Sequence, residues 1–324
     1  MIKKTYRLPL SVFVFTAVLL SFMQIKMPHP ILLAERFVKG LGWLEIVIIA
    51  TYGAYVAYKM QDPIQVPKWR KLIWTIFSIA FFSQLIIGLL GDNQFLMTGK
   101  LHLPIPMMIL AGPIYRGQLS IMPILLISTI ILTGPAWCSQ LCYFGAFDGL
   151  ASGGKTKKGK LKYKTPIKAT ILVLVISITI LLRFFDVPLL IATIAAASFG
   201  IVGVFIMLLF SRKNGKMVHC ILYCPVGTIV NITRFVSPFR MYIDNSCDLC
   251  MRCTSHCKYD ALRPEHIKNK KPGFSCTLCG DCLSACKGNS IKYRFFKLKP
   301  ETARNLYLFL TITFHACFLA VARL

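Results

Sequence analysis

Seven stretches of this chain run for about twenty residues almost without charge, at about 8–24, 41–58, 72–91, 119–137, 168–185, 188–211 and 305–322. A helix needs roughly 20 apolar residues to cross the hydrocarbon of a bilayer, and only helices and closed barrels satisfy their backbone hydrogen bonds there. The expected fold is therefore an all-α polytopic membrane protein of about 6–7 transmembrane helices. With 56% hydrophobic and 15% charged residues, an ordinary soluble enzyme is excluded. The opening MIKKTYR and its apolar run resemble a secretory signal, but no small-x-small cleavage site follows, so a retained first helix is expected.

On a soluble chain the formal charge of +26 would point to nucleic acid. Its distribution points elsewhere. With the N-terminus inside, 31 of the 38 basic residues fall in 1–7, 59–71, 155–168 and 212–304, all on one face. That is the positive-inside pattern, and it predicts a multi-pass protein of the inner (cytoplasmic) membrane with its N-terminus and the 212–304 segment in the cytoplasm. No nucleic-acid partner is expected. Trp43, Trp69, Trp74 and Trp137 lie near predicted span ends, where aromatic belts form.

Between the sixth and seventh spans a polar stretch carries eight of the 13 cysteines. Cys247, Cys250, Cys253 and Cys257 form C-x2-C-x2-C-x3-C, and Cys276, Cys279, Cys282 and Cys286 repeat it. This is the bacterial-ferredoxin spacing, in which three thiolates wrap one cubane and the fourth reaches the other. Two [4Fe–4S] clusters are expected in a small α+β lobe. Cys247, Cys250, Cys253 and Cys286 would hold one, and Cys276, Cys279, Cys282 and Cys257 the other. Structural zinc uses paired C-x2-C arms instead, and disulfides do not suit a cytoplasmic face. Lys258 and Lys287 stand where the bacterial run has Pro. With 17 basic and 6 acidic residues, segment 212–304 would steer an acidic redox partner, or simply mark the inner face.

A second spacing also occurs twice. WCSQLCYFG ends the fourth span and HCILYCPVG follows the sixth, both reading C-x3-C-x2-G. Cysteines at i and i+4 share one side of a helical turn, and both pairs follow helices running from outside to inside, as in parallel repeats. Cys138, Cys142, Cys220 and Cys224 are thus expected to converge on an iron–sulfur or single-metal site. Redox-active or merely packed thiols are the alternative.

Membrane spans with two such motifs and paired ferredoxin arrays near the C-terminus resemble the NapH-type membrane ferredoxin family, including MauN-like proteins and the membrane part of NosR, over about residues 70–295. The resemblance implies an inner-membrane protein passing electrons between the quinone pool or a cytoplasmic carrier and a partner across the membrane. Cys220, Cys224 and Pro225 match the family's C-x3-C-P, whereas Tyr143 replaces Pro after Cys138 and Cys142. It implies quinone as a possible ligand and, as partners, a cytoplasmic ferredoxin or flavodoxin or an outer-face cytochrome or oxidoreductase.

Further polar residues are candidates for quinone or proton chemistry. His315 lies inside the last span, where ionisable groups are expensive; one such histidine does not make a bis-histidine haem site. Cys317 nearby reads as a small buried hydrophobe. The apolar outer segment GKLHLPIPMMILAGPIYRG offers His102 and Arg116 and is expected to lie in the interface or re-enter. Glu45 in the second span is a possible proton acceptor or the wet end of its helix. The organisation expected is a bundle over 1–211, a connector over 212–240, a two-cluster module over 241–300 and a final span over 301–324. Electron transfer is the primary reading. A metal-centre assembly or reductase factor and a redox-sensing regulatory subunit are the competitors.

Overall fold

The computed structural model describes residues 5–27, 30–91, 95, 105–118, 121–153 and 161–321, with the side chains of 121 and 122 left aside. Helices dominate. In chain order they are α1 (Arg7–Lys26), α2 (Leu33–Phe37), α3 (Leu41–Met60), α4 (Val66–Leu89), α5 (Met108–Arg116), α6 (Ile121–Thr133) and α7 (Tyr143–Ala151). There follow α8 (Lys164–Phe184), α9 (Leu189–Ile206), the short α10 (Arg212–Asn214) and α11 (Pro225–Thr233). Beyond these come strand β1 (Phe239–Ile243), the short helices α12 (Arg252–His256) and α13 (Pro264–Lys268), strand β2 (Ile291–Phe295) and α14 (Pro300–Ala320). Seven helical segments among the described residues are long and apolar enough to cross a membrane, matching the seven uncharged runs.

Helix α9 makes the physical case for lipid. Its small residues Ala192, Ala196, Gly200 and Gly203 are buried, whereas Leu190, Ile194, Ile201 and Phe205 are exposed. A soluble helix buries its large apolar face; a helix in lipid packs through small residues and turns the large ones outward. Gly53 serves the same end in α3, where a Cβ would stand 3.3 Å from Val12 of α1 and 3.5 Å from Ala316 of α14. Helix α5 packs on α8, and Ile105 just before it lies against Gly200, midway along α9. The described part of this segment, 105–117, thus packs against the bundle. His102 lies outside the described residues.

The 239–295 region folds on one end of the bundle. β1 and β2 pair antiparallel from Phe239↔Phe295 to Ile243↔Ile291. Phe239, Met241, Ile243, Ile291 and Tyr293 turn inward onto Tyr259, Leu262, Ile267 and Leu278. Tyr307 of α14 closes this core from the bundle side, with its ring 4.9 Å from that of Tyr293. The segments expected to share a face do meet there. Thr5 and Gln61 exchange two hydrogen bonds of 2.9 Å. Arg304 donates to the carbonyls of Met60 and Gln61, and Arg263 to that of Leu161. Lys258, in the position of the bacterial proline, reaches the Ser152 carbonyl at the end of α7.

Two expectations change. Trp74 is 2% exposed and donates to the Cys142 carbonyl at 2.6 Å, and Trp137 is buried too, so neither belongs to an aromatic belt. Helix α7 covers the Trp74 ring, with Gly145 and Gly149 against it, and Trp137 packs edge-on to Phe318 of α14.

Candidate functional site

The C-x3-C pairs sit on π-helical turns rather than on α-helical ones. Thr133 leads through the 3-10 turn Gly134–Ala136 into a π turn, Trp137–Leu141, and Cys142 then leaves the helix with φ −86° and ψ 107° to cap α7. The second copy repeats this: π turn His219–Tyr223, then Cys224 at φ −72° and ψ 116°, then α11. A π turn is wider by about one residue, which still leaves cysteines four apart on one side. Tyr143 and Pro225 are each the first residue of the following helix, so the missing proline changes no element. Tyr143 instead stacks on Phe81 at 3.8 Å between ring centres.

The four cysteines of this set lie within electrostatic reach of one another. Burial first, and then the charges of Asp148, Cys224, Cys142 and Cys138, push the Cys220 thiol well above its ordinary value. Burial and the neighbouring Cys224 raise Cys142 to about 12. Left alone, such thiols stay protonated; a bound cation is what makes thiolates of them. Lys168 of α8, 4% exposed, donates to the Gly227 carbonyl at 3.3 Å and lies within electrostatic reach of Cys138, Cys224 and Cys220.

The two ferredoxin-spaced arrays share one backbone path. Leu249 and Met251 in the first array, and Leu278 and Gly280 in the second, have φ between 55° and 83°. Left-handed backbone costs a non-glycine residue about 1 kcal/mol or more, and here it recurs two and four residues after the first cysteine of each array. Burial first, then Cys286, Cys247 and Cys250, raise the Cys253 thiol to about 11. Burial first, then Cys279, Cys257 and Cys276, raise that of Cys282 well above its ordinary value. Cys286 is thus within electrostatic reach of Cys253, and Cys257 of Cys282. Backbone amides aim at sulfur in all three sets: Gly145 at Cys142 (3.4 Å), Ala261 at Cys257 (3.2 Å) and Ser290 at Cys286 (3.2 Å). Amide-to-sulfur hydrogen bonds of this kind suit iron–sulfur ligation and tune its potential.

The second array is the one joined to the membrane turns. Tyr259, two residues after Cys257, donates to the Cys138 carbonyl at 2.9 Å. Ser139 donates to the carbonyl of Thr277, next to Cys276, at 3.0 Å. Arg70 donates to the Ser139 carbonyl and forms a two-pronged ion pair with Asp281, between Cys279 and Cys282. In the first array Cys250 is exposed. Neither tyrosine nor ion pair was apparent in the sequence, since nothing in spacing links residues 70, 139 and 259 to 281.

The weaker candidates take structural places. Glu45 accepts the Ala34 amide at 2.8 Å at the start of α2, the wet-end role. His315 is fully buried, with Nε2 3.0 Å from the Tyr52 hydroxyl and Nδ1 3.3 Å from the Gln140 carbonyl, and it ties α3 and α14 to the first π turn. Arg116 ends α5 with its guanidinium over Gly112. Missed altogether were Asp148 and His219, both buried, whose ligand atoms lie with that of Cys220 within 4.8 Å of one another. The one signal for Asp148 was a carboxylate in an otherwise apolar stretch.

Asp260 fastens the lobe to α8. Burial works to raise its pKa, but the hydrogen bond from Arg263 and the charges of Lys164 and Lys216 prevail and hold it below the carboxylate range. A depressed pKa contributes stability above the unfolded value, about 4, and that stability is lost as pH falls through the folded value. Denaturation midpoints measured between pH 3 and 6 should therefore fall more steeply for the native protein than for Asp260→Asn.

Residues 118–160 match the family described as a 4Fe-4S binding domain, a stretch that includes Cys138 and Cys142. No curated protein and no solved structure matches the chain. A 4Fe–4S binding domain among seven helices of membrane-spanning length points to iron–sulfur electron transfer in a membrane setting.

Proposed function

We propose that this protein is a membrane electron conduit holding three iron–sulfur centres in series. The supporting observation is the stitched contact between the second array and the membrane turns, carried by Tyr259, Ser139 and Arg70. Iron–sulfur clusters supply one-electron transfer at potentials set by their surroundings. Cys247, Cys250, Cys253 and Cys286 would hold the solvent-side [4Fe–4S] cluster, and Cys276, Cys279, Cys282 and Cys257 the inner one. Cys138, Cys142, Cys220 and Cys224 would hold the third, with the 4Fe-4S match over the first pair favouring a cubane. In this reading the lobe and N-terminus are cytoplasmic in an inner membrane. A cytoplasmic ferredoxin or flavodoxin meets the exposed Cys250 edge, and a quinone or outer-face redox protein takes the other end.

Quinol added to membranes should reduce the iron–sulfur EPR signals; signals that respond only to a soluble reductant would remove quinone from the pathway. Tyr259→Phe should slow electron exchange between the lobe and the third centre, several-fold in stopped-flow absorbance, at unchanged iron content. An unaltered rate would remove Tyr259 as the bridge. A second reading, a reductase or assembly factor handling a single metal ion, is favoured by the tight Asp148, His219 and Cys220 group. That reading predicts metal turnover without quinol dependence.

A further inference from the structure

A cavity of about 400 Å³ opens where the lobe meets the end of α6. Five cations line it, Arg234, Arg240, Lys270, Lys271 and Arg294, and no carboxylate does. None of the five is ion-paired among the described residues. Two of them are placed against each other. In the antiparallel register Arg240 stands directly opposite Arg294, and like charges in that position are destabilising. The neighbouring charges of Arg234 and Arg294 lower the pKa of Arg240, behind its partial burial.

The backbone holds this arrangement in place. Arg240 donates to the carbonyls of Phe235, Ser237 and Phe239, and Arg234 to those of Gly273 and Phe274. Both guanidiniums are thus positioned by neutral acceptors. A general excess of positive charge on one membrane face accounts for scattered lysines. It does not account for two arginines set opposite each other beside a cavity. Beside it Ile232, Phe235 and Val236 are more than half exposed, an apolar rim at the level where α6 ends. Fixed arginines bind phosphate by paired hydrogen bonds, and basic pockets at the ends of spans take anionic headgroups.

We infer that this cavity is a binding site for a phosphate-bearing anion, set at the junction of lobe and bundle. An anionic phospholipid headgroup and a free phosphate compound share that chemistry, and the apolar rim suits the lipid. The inference does not depend on the three-centre reading, although Cys276 also lines the cavity.

The test uses the full-length protein with its iron in neutral detergent. Native mass spectrometry would follow retention of phosphatidylglycerol against phosphatidylcholine, with and without inorganic phosphate at millimolar concentration. Phosphatidylglycerol should be retained at least 10-fold better than phosphatidylcholine, and the preference should vanish in Arg294→Gln/Lys271→Gln at unchanged iron content. Both side chains are exposed, so the variant should fold; should it not, Lys270→Gln/Lys271→Gln carries the same expectation. Displacement by millimolar phosphate, or stabilisation by phosphate alone, would identify a free phosphate compound as the occupant. Equal retention of both lipids together with no response to phosphate, or a preference unaltered in the variants, would overturn the site.

Discussion

Protein purified anaerobically should contain about 12 iron atoms per chain, and Cys220→Ala about 8, since each cubane takes four thiolates. The lobe arrays approach their centres from separate elements, so their EPR signals should persist in the variant while electron transfer to the membrane end is lost. Selectivity follows from position. Cys220 lies on the second π turn, and its amide donates to Asp148 of α7 at 2.9 Å, whereas the arrays are held by their own left-handed turns. Cys250→Ala should remove a different set of irons from the exposed edge and leave the third centre intact. A native protein with about 8 irons would mean that the membrane cysteines hold no cubane. A smaller centre, or the single ion suited to Asp148, His219 and Cys220, would then stand in its place.

Much of this architecture was legible from one-dimensional rules. Charge-free runs near twenty residues marked each of the seven helices of membrane-spanning length among the described residues, because hydrocarbon thickness sets helix length regardless of partners. The cysteine spacings marked candidate ligands, because ligation demands short local loops; Cys286 is an electrostatic neighbour of Cys253, and Cys257 of Cys282. What escaped the sequence was long-range and polar. Trp74 lies at the right distance from a span end for a belt, but α7 covers its ring, with Gly145 and Gly149 against it and the Cys142 carbonyl accepting its N–H. His315 and Glu45 carried the cost of burial that marks function, yet that cost is met by Tyr52 and Gln140 in one case and by the start of α2 in the other. Lys168 sits where the basic 155–168 segment meets the fifth span, and it is buried beside Cys138, Cys220 and Cys224. Periodicity reports which face is apolar; it does not report which polar group on that face has found a partner.

Asp281→Ala should destabilise the protein by about 3–5 kcal/mol, the cost of leaving a buried charge without its partner. Arg70 and Asp281 are 5% and 6% exposed, and the guanidinium meets the carboxylate through Nε at 2.7 Å and Nη2 at 2.5 Å. A third donor, Nη1, goes to the Ser139 carbonyl, and the guanidinium carbon lies 4.9 Å from the centre of the Trp74 ring. No water-exposed rotamer is open to Arg70 without undoing those contacts, so the charge cannot be resolvated cheaply. The loss should appear in denaturant unfolding followed by tryptophan fluorescence, which Trp74 reports directly. Replacing both partners, Arg70→Met with Asp281→Leu, should recover most of the stability, since a buried pair and apolar residues of similar volume are often near parity. The double variant should nonetheless transfer electrons more slowly than the native protein, because the Ser139 carbonyl loses the donor that holds the first π turn against the second array. A single-variant cost below about 1 kcal/mol is what a solvated surface pair gives, and it would mean that the lobe does not seat on α4 as described.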